Sequence, residues 1–206
     1  MKKVLCLSML SFLLVGCGGN GGSGESTRKE NKNSKELQEV QSEIDQSEIE
    51  GTQVEKTKEE KKYIDKEELI VVDDFAEITI INTYFSKNIE PPNPGSFYTY
   101  YEAKDEGTVY LDTVITIKSL LTTGKTSDEF LSVKVMFDDK YEYQTFSTIE
   151  EHGGSDFTYT NITSLEPLKV GNLHFLAEVP DEVESGSEPL VILVTANGQD
   201  YYHKVR

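Results

Sequence analysis

Few residues of this 206-residue chain have types and spacings suited to chemistry. The three histidines, His152, His174 and His203, are scattered, and the chain has two cysteines, Cys6 and Cys17. A zinc site needs thiolates or imidazoles gathered at short spacing, so no metal centre and no cofactor is expected. His152-Gly153-Gly154-Ser155 has the residue types of an oxyanion loop. A hydrolase would also need a G-x-S-x-G elbow, and Phe157 stands where its last glycine would fall. Gly124-Lys125-Thr126 ends like a phosphate-cradling loop, but Ser119 occupies the first glycine position, which leaves a hairpin turn as the expectation. Gly19, Gly21 and Gly24 have dinucleotide-fingerprint spacing without a strand before them or a helix after them. Asp73-Asp74, Asp138-Asp139 and Glu150-Glu151 offer hard oxygen ligands for calcium, yet none follows the spaced ladder of an EF-hand. No catalytic residue is assigned, and solvated turn charges are the default for the acids.

The thiol of Cys17 carries the clearest signal. Lys2 and Lys3 precede an apolar run from Val4 to Val15, and Gly16 is a small residue directly before Cys17. Charge, apolar run and small residue in this order make a signal peptide. The run is too short to span a bilayer core, which needs ~20 residues. Leu14-Val15-Gly16-Cys17 resembles the lipobox of bacterial lipoproteins. That resemblance implies a diacylglycerol thioether at Cys17, cleavage before it, and attachment to the extracytoplasmic face of the cell membrane. Two or three acyl chains at ~0.8 kcal/mol per buried CH₂ anchor stably where one would not.

Three segments are expected: a signal peptide over 1–16, a flexible polar linker over 17–68, and a folded domain over 69–206. The linker begins Gly18-Gly19-Asn20-Gly21-Gly22-Ser23-Gly24 and has no aromatic residue before Tyr63. Such a segment cannot bury enough apolar surface to offset its ordering entropy. Residues 69–206 are near the commonest domain size and contain no cysteine, so their core must hold without disulfides. They carry 23 Asp and Glu against 9 Lys and Arg, most of the net charge of −17. A surface this acidic is repelled by nucleic acid and anionic lipid, which excludes a nucleic-acid partner.

Within the domain, apolar residues alternate. Val109, Leu111, Ile115 and Ile117 oppose Tyr110, Asp112, Thr116 and Lys118. Leu173, Phe175, Ala177 and Val179 oppose His174, Leu176 and Glu178. Val133, Val135 and Phe137 share a third such face. Alternation of this kind predicts antiparallel sheets with one face on a core. Strands are also expected over Glu77–Phe85 and Phe97–Ala103, and a helical turn over Ser127–Leu131. Asn197-Gly198 predicts a two-residue type I′ hairpin, and Asp138-Asp139 a second one. About nine short strands indicate an all-β sandwich, with an antiparallel barrel as the alternative.

Tyr100-Tyr101-Glu102-Ala103-Lys104, Gly107-Thr108-Val109-Tyr110-Leu111-Asp112, Leu165-Glu166-Pro167-Leu168 and His174-Phe175-Leu176-Ala177-Glu178-Val179-Pro180 occur in that order. Over residues 97–206 the chain resembles the immunoglobulin-like domains of Gram-positive lipoproteins, the immunoprotective extracellular type above all. The resemblance implies an antiparallel immunoglobulin-like β-sandwich and surface display, with no catalytic residues.

Tyrosine is abundant in the domain, and alternation turns Tyr98 and Tyr100 away from Phe97 and Tyr101. Outward tyrosines are rigid anchors for protein or glycan contacts. The expected function is therefore a membrane-anchored, non-catalytic binding module for a protein or cell-wall partner. The alternative is an accessory lipoprotein of an export or sensing complex, and a hydrolase is a more distant reading.

Overall fold

A computed structural model describes residues 60–206. The signal segment, Cys17 and the linker as far as residue 59 lie outside the described residues. In chain order the first strands are β1 (Lys62–Ile64), β2 (Leu69–Val72), β3 (Ala76–Ser86), β4 (Asn88–Ile89), β5 (Tyr101–Glu102), β6 (Thr108–Ser119) and β7 (Lys125–Thr126). After a 3-10 turn at Ser127–Glu129 come β8 (Leu131–Phe137), β9 (Tyr141–Gln144), β10 (Phe146–Glu151) and β11 (Asp156–Tyr159). The chain ends with β12 (Ser164–Leu165), β13 (Val170–Pro180), the short helix α1 (Asp181–Ser185), β14 (Leu190–Ala196) and β15 (Gln199–Lys204).

The long strands form two sheets, ordered β1-β15-β14-β8-β9 and β11-β10-β13-β6-β3-β2. The fold is an all-β antiparallel sandwich and not a barrel. The orders β3-β6-β13-β10 and β15-β14-β8 repeat the ABED and GFC arrangements of immunoglobulin sandwiches. Alternation works as expected on the inner faces: Ile78, Ile80, Leu111, Ile115, Ile117, Leu173, Val135 and Ile192 are buried between the sheets. Each such side chain contributes about 1.5–3 kcal/mol.

Four expectations need correction. The domain does not begin at residue 69: β1 lies in the stretch read as linker, pairs parallel with β15, and buries Ile64 in the core. Tyr63, the first aromatic after the polar stretch, belongs to this strand. The expected strand over Phe97–Ala103 shrinks to Tyr101–Glu102, with residues 97–100 irregular. Asp138-Asp139 closes a loop of three residues, because Phe137 pairs with Tyr141 and both aspartates take positive φ, 52° and 53°. Lys125–Thr126 is a short strand paired with Ser164–Leu165, not a hairpin turn.

The outer face of the six-stranded sheet departs most from simple alternation. A β-bulge at Ile81 shifts the β3–β6 register, so that Tyr84 comes opposite Asp112 on the outer face. Residues 87–107 then fold back over this face as a flap. Its β4–β5 ladder brings Ile89 and Ala103 against Tyr110, Phe157 and Leu176 in a second, smaller core.

Candidate functional site

The flap creates two features on the outer face of the six-stranded sheet. One is a buried polar line beneath it, and the other is an open cleft at its edge.

The polar line comes from outward positions of adjacent strands. His174 on β13 is 4% exposed and Asp112 on β6 is fully buried, although alternation placed both on the solvent side. His174 Nδ1 lies 2.7 Å from Asp112 Oδ2, and Nε2 lies 3.1 Å from Glu150 Oε1. Asn172 Nδ2 donates to Glu150 Oε2 at 3.1 Å, and Thr116 Oγ1 donates to Asn172 Oδ1 at 2.7 Å. The Phe157 ring packs edge-on against the imidazole at 4.8 Å. Burial pulls the His174 pKa down. Hydrogen bonds and charge from Asp112 and Glu150 outweigh that and raise it above the ordinary histidine range. Burial, then the Asp112 carboxylate, holds the Tyr84 hydroxyl far above the usual tyrosine range. Asp112 Oδ1 has no hydrogen-bond partner among the described residues.

The scattered histidines thus hide one acid–histidine–acid cluster, assembled across gaps of 62 and 24 residues. The sequence offered a single hint, an aspartate inside the apolar run Val109-Tyr110-Leu111-Asp112. This arrangement is not a metal centre, because both ring nitrogens face carboxylates. No group of three or more His, Cys, Asp or Glu among the described residues is placed to hold an ion. Nor is it a ready base, since neither nitrogen is free. The other candidates stay apart. His203 is buried with Nδ1 3.2 Å from the Ile64 carbonyl, and exposed His152 lies 3.8 Å from Glu151. His152-Gly153-Gly154-Ser155 is the β10–β11 connection, with φ of 51°, 73° and 82° at its first three residues. Asp73-Asp74 and Asp138-Asp139 sit in the β2–β3 and β8–β9 turns, and Glu150-Glu151 ends β10.

The cleft measures about 570 Å³ and is lined by Tyr100, Tyr101, Glu102, Lys104, Asp105, Tyr110 and Glu178. Aromatic packing builds its floor: Tyr101 lies 5.1 Å from Phe146 and 6.1 Å from Phe157, and Tyr110 meets Phe146 edge-on at 5.9 Å. Of the two tyrosines singled out in the sequence, Tyr100 lines the cleft and is 56% exposed. Tyr98 stands edge-on to it at 6.3 Å, beside Glu90, whose charge raises the Tyr98 hydroxyl pKa. Neither projects from a sheet face, as alternation had implied; both belong to the irregular part of the flap. That part is pinned from below. Asp156 Oδ1 accepts from the Thr99 amide at 2.7 Å, Asn93 donates its amide to the Gly154 carbonyl at 2.8 Å, and Gly95 to that of Ser155 at 3.1 Å.

No family model matches the chain, and no curated protein does. Among solved structures, the chain is 31% identical to an uncharacterized β-sandwich protein from Clostridium difficile 630. The match covers 71% of this chain and 95% of that one, with a TM-score of 0.66. A conserved hypothetical protein from Bacillus anthracis is 11% identical over 68% of this chain and 93% of its own, with a TM-score of 0.48.

Proposed function

We propose that this chain, which belongs to the family of the uncharacterized β-sandwich protein from Clostridium difficile 630, is a lipid-anchored surface module that binds a partner without catalysis. The observation that carries the reading is the tyrosine-lined cleft at the flap edge. Tyr100 lines it at 56% exposure, and Tyr98 packs edge-on to Tyr100 at 6.3 Å. A chain that leaves such rings in water beside a concave surface has the makings of a contact site. Catalysis finds less support. The buried His174 has both nitrogens engaged, so it cannot take a proton from a nucleophile. The immunoglobulin-like strand order and the motif run over 97–206 favour the immunoprotective extracellular type of lipoprotein domain.

Attachment rests on Cys17, which would carry diacylglycerol at the extracytoplasmic face of the membrane. The partner is a protein or a cell-wall component. Nucleic acid is disfavoured by the surplus of Asp and Glu. Crosslinking on intact cells tests the contact. Tyr100→Ala should lose a crosslinked species that wild type and the equally exposed Tyr141→Ala retain. Mass spectrometry of the membrane fraction tests the anchor. An unmodified Cys17 in the mature wild-type protein would remove that part of the proposal.

A further inference from the structure

We propose that the cleft at the flap edge receives a primary ammonium group, of the kind a lysine side chain carries on an extended ligand. This rests on the reading of that cleft as the contact site, and adds what it recognises.

Three carboxylates line the cleft, Glu102, Asp105 and Glu178, with Lys104 as the only cation. None of the three acids makes a salt bridge among the described residues. Glu178 Oε1 accepts from the Thr108 hydroxyl at 2.7 Å, which fixes its orientation and leaves Oε2 for a ligand. The second observation is Tyr110. The residue is only 8% exposed, it lines the cleft, and its hydroxyl makes no hydrogen bond among the described residues. Burial raises its pKa, followed by the charges of Glu178 and Asp105, so the hydroxyl sits in the field of both carboxylates and keeps its proton. It therefore offers oxygen lone pairs as well as a donor.

An ammonium has three N–H donors and no acceptor. Glu178, Asp105 and the Tyr110 oxygen provide acceptors, and the exposed face of Tyr100 provides cation–π attraction. A neutral sugar would use the rings but leave the carboxylates without counter-charge, and an anion would be repelled. A space of about 570 Å³ suits a side chain and its neighbours rather than a folded surface. Elsewhere the chain already places ammonium groups on tyrosine rings, Lys62 on Tyr201 at 4.6 Å and Lys61 on Tyr202 at 5.0 Å.

Calorimetry on the full chain in neutral detergent can decide this, with tyrosine fluorescence as a second signal in a protein that has no tryptophan. The probes are N-terminally acetylated pentalysine, the same peptide with every Nε acetylated as well, and a neutral chito-oligosaccharide. Pentalysine should bind and its Nε-acetylated form should not. Tyr100→Ala should weaken binding about tenfold, the scale of a desolvated cation–π contact, and Asp105→Asn should weaken it measurably. Lys104→Gln should tighten binding by removing the competing charge. Tyr141→Ala and Asp128→Asn, both outside the cleft, should leave it unchanged. Equal weakening by Asp128→Asn and Asp105→Asn would mean diffuse attraction and would overturn the inference, as would silence from pentalysine. If the Nε-acetylated peptide or the glycan binds in a Tyr100-dependent way while pentalysine does not, the ammonium assignment falls and the contact site stands. If no probe binds and crosslinking on cells is also indifferent to Tyr100→Ala, both fall.

Discussion

At His174 both ring nitrogens face carboxylates, so removing one proton leaves either Asp112 or Glu150 looking at a lone pair. The charged form is the one the folded state prefers, and its pKa is raised on folding. The sign follows from linkage. The stabilisation is complete below the unfolded histidine pKa of about 6.5 and is lost as pH rises through the higher folded value. Denaturant midpoints measured from pH 6 to 9 should fall for the wild type relative to His174→Gln, whose curve lacks this component. Parallel curves would show that the proton is not held there. Truncation is harsher: His174→Ala leaves the fully buried Asp112 without its partner and should cost about 3–5 kcal/mol. Pattern reading assigned both residues to water because a period of two says which face a side chain takes, not whether another segment covers that face. The polar line became visible only once the flap was placed, and the flap is a 21-residue excursion between two strands with little periodicity of its own.

The elements with strict local rules were the legible ones. Asn197 and Gly198 have φ of 46° and 76°, and β14 pairs with β15 directly across them, as a type I′ turn requires. Open space surrounds the Gly198 Cβ position, so substitution there tests backbone conformation alone. Gly198→Val should destabilise by about 1–3 kcal/mol, read as a lowered urea midpoint with an unchanged slope. Gly154 answers to a different constraint. At φ 82° an added Cβ would also lie 2.8 Å from Pro92 Cγ. Gly154→Ala should therefore loosen the flap as well as strain the hairpin. The measurable sign is faster hydrogen exchange at the amides of Asn93 and Gly95, which donate to Gly154 and Ser155. Exchange at these amides unchanged from wild type would mean the flap is not held from this hairpin. What pattern missed at this scale were elements whose stability is borrowed. The strands β4 and β5 have two residues each and exist because Ile89, Ala103 and Tyr101 pack on the sheet beneath them. At Thr145 the chain leaves β9 in one sheet for β10 in the other, and the Thr145 hydroxyl donates to the Val133 carbonyl at 2.7 Å there.

For the molecule as a whole, the point where the chain enters the sandwich decides how an anchor upstream would act on it. β1 is three residues long, yet it closes the edge of the five-stranded sheet by parallel pairing of Lys62, Tyr63 and Ile64 with Tyr201, Tyr202 and His203. Ile64 is 4% exposed, and its carbonyl meets His203 Nδ1 at 3.2 Å. Lys61 and Lys62 lie over the rings of Tyr202 and Tyr201, and Tyr63 packs 5.9 Å from Tyr202. Composition placed this segment with the linker because Glu60-Lys61-Lys62 and Asp65-Lys66-Glu67-Glu68 surround it with charge. The lysine stems and one isoleucine are enough to dock it on a tyrosine-rich strand. Three residues of β15 and the three of β1 thus join the two ends of the described chain, and pulling on the N-terminal side must first strip β1 from the final strand. Limited proteolysis of the full chain should accordingly leave a resistant fragment that starts before Lys62. Ile64→Asp places an uncompensated charge at the buried position, releases the strand, and should move the first protected residue to the neighbourhood of Leu69 while the remaining sheets stay intact. A wild-type fragment that already begins near Leu69 would show that the clip does not hold in solution, and would return the boundary to where composition put it.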